Sequence, residues 1–136
     1  MKRQSRSEAR RAAFTQIFML NQQGDNKEEM YNSLLAAIPE CEDNLGYITS
    51  VVNGVDEKRT ELNDIISSYL KPGWTLARIS KASHSILKLA IYEIKYVDDV
   101  PPKVAVNEAV ELAKEYGDDK DASFVNGLLG AFLKEL

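Results

Sequence analysis

The chain has 136 residues, 44% of them apolar and 28% charged, a balance that supports a buried core and excludes the polar composition of a disordered chain. One cysteine, Cys41, rules out an internal disulfide, and with one histidine, His84, it leaves no zinc ligand set, so no metal and no cofactor are expected and a reducing cytoplasm fits. The net charge of −4 is uneven: residues 2–11 hold five bases, Lys2, Arg3, Arg6, Arg10 and Arg11, against one acid, Glu8, and taking these from 17 bases and 21 acids leaves 12 and 20, a body of −8.

Such a basic arm on an acidic body favours local contact with a polyanion while the body repels indiscriminate binding. No apolar run reaches the roughly 20 residues of a membrane span, and no apolar segment with a cleavage site follows the basic N-terminus. In chain order, Ala9, Ala13, Ile17 and Leu20, flanked by Phe14 and Phe18, recur at helical spacing and predict a first helix over 5–23. Gly24 to Asn26 read as a stop, with Asp25 or Asn26 capping a second helix through Met30, Leu34, Leu35 and Ile38 that Pro39 closes. From Leu45 to Leu70 the apolar stripe predicts one long helix or two, weakened in the middle by Asn53-Gly54. Pro72, Gly73 and Trp74 form the central break.

A helix over 80–96 follows, then the rigid stretch Asp98 to Pro102, a helix over 103–116 stopped by Gly117, and a last helix with Asp121 as its expected cap. No segment alternates with period two, so the fold class is all-α, a bundle of six to seven helices. The break divides one domain, 1–136, into helical halves of about 1–71 and 74–136. A short echo, Val-Val-Asn-Gly-Val at 51–55 and Phe-Val-Asn-Gly-Leu at 124–128, fits two halves and fits equally two Asn-Gly pairs at close helix contacts.

The shadows of catalysis are missing: no glycine-rich phosphate loop, no serine elbow and no His-Glu metal helix. His84 reads as an ordinary surface or partly buried side chain, and Cys41, between Glu40 and Glu42, as unreactive because neighbouring negative charge disfavours a thiolate. Glu93 and the pair Asn107-Glu108 are polar residues in apolar surroundings, expected to fix how helices cross. The arm carries more. Arg6 and Arg10 are one helical turn apart, with Arg3 extending the row, and are expected along a rim opposite the Ala9, Ala13, Ile17 stripe, within reach of successive phosphates. Phe124, in the first turn of the last helix near Lys120, is either core or an exposed face on which an unpaired base stacks. A protein-interaction or self-associating module, its basic helix docked on an acidic face, is the alternative that the charge pattern leaves open.

Several stretches together resemble one family. Ala9-Arg10, Ile86 to Glu93 (ILKLAIYE), Val100-Pro101, Val104 to Lys114 (VAVNEAVELAK) and Phe124 to Leu129 (FVNGLL) are similar, in order and along nearly the whole chain, to the motifs of the bacterial transcription antitermination factor family NusB. The resemblance implies an all-α, non-enzymatic protein of two three-helix subdomains. It implies binding to single-stranded RNA, the boxA element of rRNA leader transcripts, with the ribosomal protein NusE, in a complex with other Nus factors and RNA polymerase; homodimers that hide the RNA face are the other state it suggests. Carried over, the RNA residues are Lys2, Arg3, Arg6, Arg10, Lys88, Lys120 and Phe124, and the residues facing the protein partner are Phe18, Arg78, Lys81, Ser83 and His84. The chain departs from the pattern at Ser7-Glu8, where arginines are usual, at Ser83-His84, where an acid and a base are usual, and at Ser123, where a base is usual. The same domain also occurs fused ahead of an rRNA cytosine methyltransferase; ending at Leu136, directly after the last helix, this chain is expected to lack that catalytic part.

Overall fold

The computed structural model describes residues 3–23 and 26–136, the side chains of 21–23 excepted, and among these every regular element is helical. Helix α1 spans Arg6–Gln23. It opens with a reciprocal cap, in which the Ser5 hydroxyl accepts from the Glu8 amide and the Glu8 carboxylate accepts from the Ser5 amide, each at 3.0 Å. The stop expected at Gly24-Asp25 lies outside the described residues. Helix α2, Lys27–Ala37, is capped by the Asn26 side chain, which accepts from the Glu29 amide at 3.1 Å. Pro39 then starts a short 3-10 turn, Pro39–Asn44.

The stretch 45–70 is two helices, α3 (Leu45–Glu57) and α4 (Arg59–Ser68). The break is not at Asn53-Gly54. It falls at Lys58, in the polar run Glu57 to Thr60, where no apolar side chain anchors the turn. Gly54 stays helical because another helix crosses there: a Cβ at Gly54 would lie 2.1 Å from the Tyr92 Oη and 2.2 Å from its Cζ. Gly54→Ala therefore forces the Tyr92 ring off its packing against Tyr96, whose centroid lies 5.2 Å away. Overpacking of this kind costs about 1–3 kcal/mol, against a gain of up to about 1 kcal/mol from replacing a helical glycine. Urea unfolding should show Gly54→Ala as a net loss, and Gly130→Ala, where nothing lies within 4 Å of the added Cβ, as a gain.

Three further helices complete the bundle: α5 (Lys81–Tyr96), α6 (Pro102–Tyr116) and α7 (Asp119–Lys134). Ser80 caps α5, its hydroxyl accepting from the Ser83 amide at 3.0 Å. The cap of α7 is Asp118 rather than Asp121. Asp121 is the third helical residue, and the two carboxylates close a capping box, each accepting from the other's backbone amide at 3.0 Å. Asp121 also accepts from the Ser80 and Ser83 hydroxyls, both at 2.8 Å, which ties the start of α7 to the start of α5.

Helix α5 is central, touching α1, α3, α4, α6 and α7, and it carries the most continuous apolar run, Ile86 to Ile91, interrupted only by Lys88. Ile17, Ile48, Leu62, Ile66, Leu87, Ile91 and Leu129 are fully enclosed around it, in one core that runs from α1 to α7. Among the described residues no helix is long and apolar enough to cross a membrane.

Candidate functional site

The arm and the first turn of α1 lie against the 3-10 turn and the start of α3. Arg3 and Arg6 are exposed, and the Arg6 guanidinium sits over the Tyr47 ring, 4.2 Å from its centroid. Lys2 lies outside the described residues. Arg11 is also on the surface, where its Nε donates to Glu115 at 2.9 Å.

Arg10 does not join this row. It is 3% exposed and turned into the bundle, where its Nε and Nη2 donate to the two oxygens of Glu93 at 2.8 and 3.0 Å. Its Nη1 lies 3.2 Å from Glu108, and the Tyr47 hydroxyl donates to Glu93 at 3.0 Å. Ser7 donates to the same oxygen of Glu108. Burial disfavours the guanidinium charge, but the hydrogen bonds and charge of Glu93 outweigh it and hold the Arg10 pKa above its usual value. Burial, reinforced by Glu93, likewise pushes the Tyr47 phenol up, so the network is an ionised pair bracketed by neutral donors. The expectation that Arg10 lines a phosphate-facing rim is corrected: it shares a face with Ala13, Phe14 and Ile17, three, four and seven residues on, and that face is buried. Glu93 and Glu108 do fix a helix crossing, that of α1 over α5 and α6.

The other expected site residues within the described chain divide between two grooves, the exposed surface and the interior. The larger groove, about 680 Å³, runs between the end of α4, the central break and α7. Phe124, half-buried, forms one wall, and Tyr69, Trp74 and Arg78 line the rest. Trp74 is 53% exposed, and Arg78 stands over its ring at 5.6 Å while its Nη1 donates to the Gly73 carbonyl at 3.0 Å. Phe124 is thus both packed against the core and open to the groove. Lys120 is exposed in the first turn of α7.

The smaller groove, about 370 Å³, lies between α4 and α5 and is lined by Arg59, Asn63, Lys81, His84 and Lys88. His84 is half-buried, with Nε2 2.7 Å from the Asn63 Oδ1, and burial, then the Lys88 charge, lowers its pKa to about 4. Lys88 is 3% exposed, and burial, then the Arg59 charge, lowers it to about 8. Ser83 is fully buried and engaged by Asp121, so it presents no surface to a partner, a correction to its expected role. Phe18 is partly buried beside Phe14, with centroids 6.1 Å apart. Trp74 and Tyr47 are the residues that sequence reasoning missed. Trp74 sits in a break and shows no helical period, whereas an exposed tryptophan between a proline-glycine turn and a base was the available signal.

Set beside known proteins, residues 7–134 match the NusB family. The chain belongs to that family. Its members are transcription antitermination proteins, which makes this chain a regulator of transcription rather than an enzyme. The transcription antitermination protein NusB of Limosilactobacillus fermentum is 41% identical over 126 residues, covering 92% of this chain and 90% of that one. NusB of T. maritima superposes with a TM-score of 0.84 at 30% identity, over 98% of this chain and 94% of that one. A NusB crystallised with NusE and dsRNA superposes with a TM-score of 0.82 over 96% and 97% of the two chains; at 24% identity that likeness carries the fold alone. The all-α fold and the antitermination role read from the motifs both stand on these matches.

Proposed function

We propose that the chain works in the cytoplasm as an antitermination factor that binds boxA-type single-stranded RNA of rRNA leader transcripts together with the ribosomal protein NusE, within a complex of Nus factors and RNA polymerase. The observation that carries the RNA reading is the exposed pair Arg3 and Arg6 at the head of α1, on a body whose remaining charge is strongly negative. Lys2 and Lys120 add charge, and Phe124 with Trp74 offers aromatic faces to unpaired bases. Arg10 drops out of this set, as a residue that supports the arm from inside. Lys88 keeps a place only as the floor of the smaller groove. For NusE we assign the surface around Arg78, Lys81 and His84, together with Phe18, which is partly buried against the core. The halves 1–71 and 74–136 act in this reading as one RNA-binding domain.

The test is fluorescence anisotropy of a labelled boxA RNA and a scrambled one, with and without NusE, at two salt concentrations. BoxA should bind more tightly than the scrambled RNA, the more so with NusE, and log K should fall with log salt by about 0.7 per phosphate contact. Equal, weak binding of both RNAs with NusE present would refute the assignment.

A further inference from the structure

The arm does not hang free from α1. Gln4, the residue between Arg3 and the cap residue Ser5, is gripped by four hydrogen bonds from the 3-10 turn that ends in Asn44. Its amide donates to the Asp43 carboxylate at 3.0 Å, and its side-chain Nε2 donates to the Cys41 sulfur at 3.1 Å. The Asn44 Nδ2 donates to both the Gln4 carbonyl and the Gln4 Oε1, each at 3.1 Å. Cys41, fully buried, fixes the turn in the core, so the grip is anchored rather than floating.

Asn44 turns its side chain away from its own helix. It occupies the position before α3, where an asparagine side chain ordinarily turns inward to cap the first amides of its own helix. Here it makes no such bond. Its amide is turned to the arm instead, and α3 starts without side-chain capping. The side chain is engaged instead by a contact forty residues away in sequence.

We propose that Asn44, with Asp43 and Cys41, is a positioning clamp that pre-orders the RNA-binding arm. It holds Arg3 and Arg6 in their bound arrangement before RNA arrives, with Arg6 seated on Tyr47. An arm already ordered loses less conformational freedom on binding than a loose one, so the clamp raises affinity without touching RNA. This rests on the reading that the arm contacts RNA, and the experiment separates the two.

The variant is Asn44→Ser. Serine keeps the site neutral, is too short to reach Gln4, and leaves the buried core untouched, so the thermal midpoint should change little. Trypsin cleavage after Arg3 and Arg6 in the free protein should quicken. Affinity for the boxA RNA, measured on the full chain with NusE, should fall about five- to tenfold, the effect of loosening about one residue of backbone. The slope of log K against log salt should stay as in the parent, because the same phosphates are contacted once the arm has folded back. Arg3→Ala, by contrast, should lower both the affinity and the slope. If Arg3→Ala and Arg6→Ala leave affinity and slope unchanged, the arm reading fails and the clamp falls with it. If those variants weaken binding while Asn44→Ser frees the arm to trypsin at no cost in affinity, the clamp alone is overturned. Failure of trypsin cleavage to quicken in Asn44→Ser also overturns the clamp, since Asn44 then does not hold the arm.

Discussion

Glu93→Ala is expected to cost about 3–5 kcal/mol of stability, the range found when one partner of a buried ion pair is removed. For a chain of this size the thermal midpoint would drop by roughly 10–20 °C. The cause is the Arg10 charge. At 3% exposure the guanidinium cannot recover water, and without Glu93 the carboxylate left beside it is Glu108, on the edge of the site. The Tyr47 hydroxyl loses its acceptor in the same step. Replacing both partners, Arg10→Met with Glu93→Leu, removes the stranded charge and should recover a large part of the loss; the double variant will then be more stable than the sum of the single effects predicts. Calorimetry on the three variants decides this, and strict additivity would show that the pair is not coupled. The network also changes how an RNA-binding defect at Arg10 must be read. Loss of RNA affinity in Arg10→Ala is expected to track loss of fold, and to be accompanied by a lowered midpoint, whereas Arg3→Ala and Arg6→Ala should weaken binding at an unchanged midpoint.

The helices were legible in the sequence because each buries one face, and period and caps are local properties. Asn26 and Ser80 act as caps, and Pro39 and Gly117 mark ends, as their chemistry dictates. What escaped was set by contacts between helices. The 45–70 break falls in the polar run at Lys58, while Gly54 stays within α3 at the point where Tyr92 of α5 passes, a fact that nothing within α3 reveals. Asp118 outranks Asp121 as the α7 cap because Asp121 is drawn toward two serines at the start of α5. Arg10 is the instructive case for the site. Counted as a charge, it belongs with Arg3 and Arg6; counted by position, it belongs with Phe14 and Ile17. The deciding signal was available as a correlation: one arginine on the apolar face of the first helix, and carboxylates, Glu93 and Glu108, in the apolar surroundings of two others. A buried charge needs a partner, and these three answer one another. The Gln4 clamp had no such signal, since its partners are short polar residues of a turn, common in any surface loop.

Stability should also depend on pH in two windows set by the smaller groove. His84 titrates at about 4 in the folded chain, below its ordinary value of 6.5, because burial first and the Lys88 charge second penalise the imidazolium. Between these values the unfolded chain binds a proton that the folded chain does not, so stability falls as the pH drops from about 6.5 towards 4 and loses nothing further to this residue below that. Lys88 titrates at about 8 instead of 10.5, with burial again the larger cause and Arg59 the second, partly offset by Asp56. The same linkage makes stability rise as the pH climbs from about 8, until the tyrosines reverse it. Tyr31, raised to about 12 chiefly by burial, and the still higher Tyr47 keep their protons in the fold after the unfolded chain has begun to lose them near pH 10. The expected profile is therefore a shoulder that loses height below pH 6.5, is flat near neutrality, and carries a rise between about pH 8 and 10. Lys88→Met should abolish the alkaline rise and lift the neutral plateau by up to a few kcal/mol, since a shift of one pKa unit corresponds to about 1.4 kcal/mol. His84→Gln should flatten the acid limb between 6.5 and 4, as glutamine keeps a polar partner for Asn63 and has no proton to gain. Urea titrations at half-unit pH steps on the parent and both variants would show it. Parallel profiles in all three proteins would mean that the groove's charges are solvated in the folded state, and that the surface between α4 and α5 is more open to water than its geometry indicates.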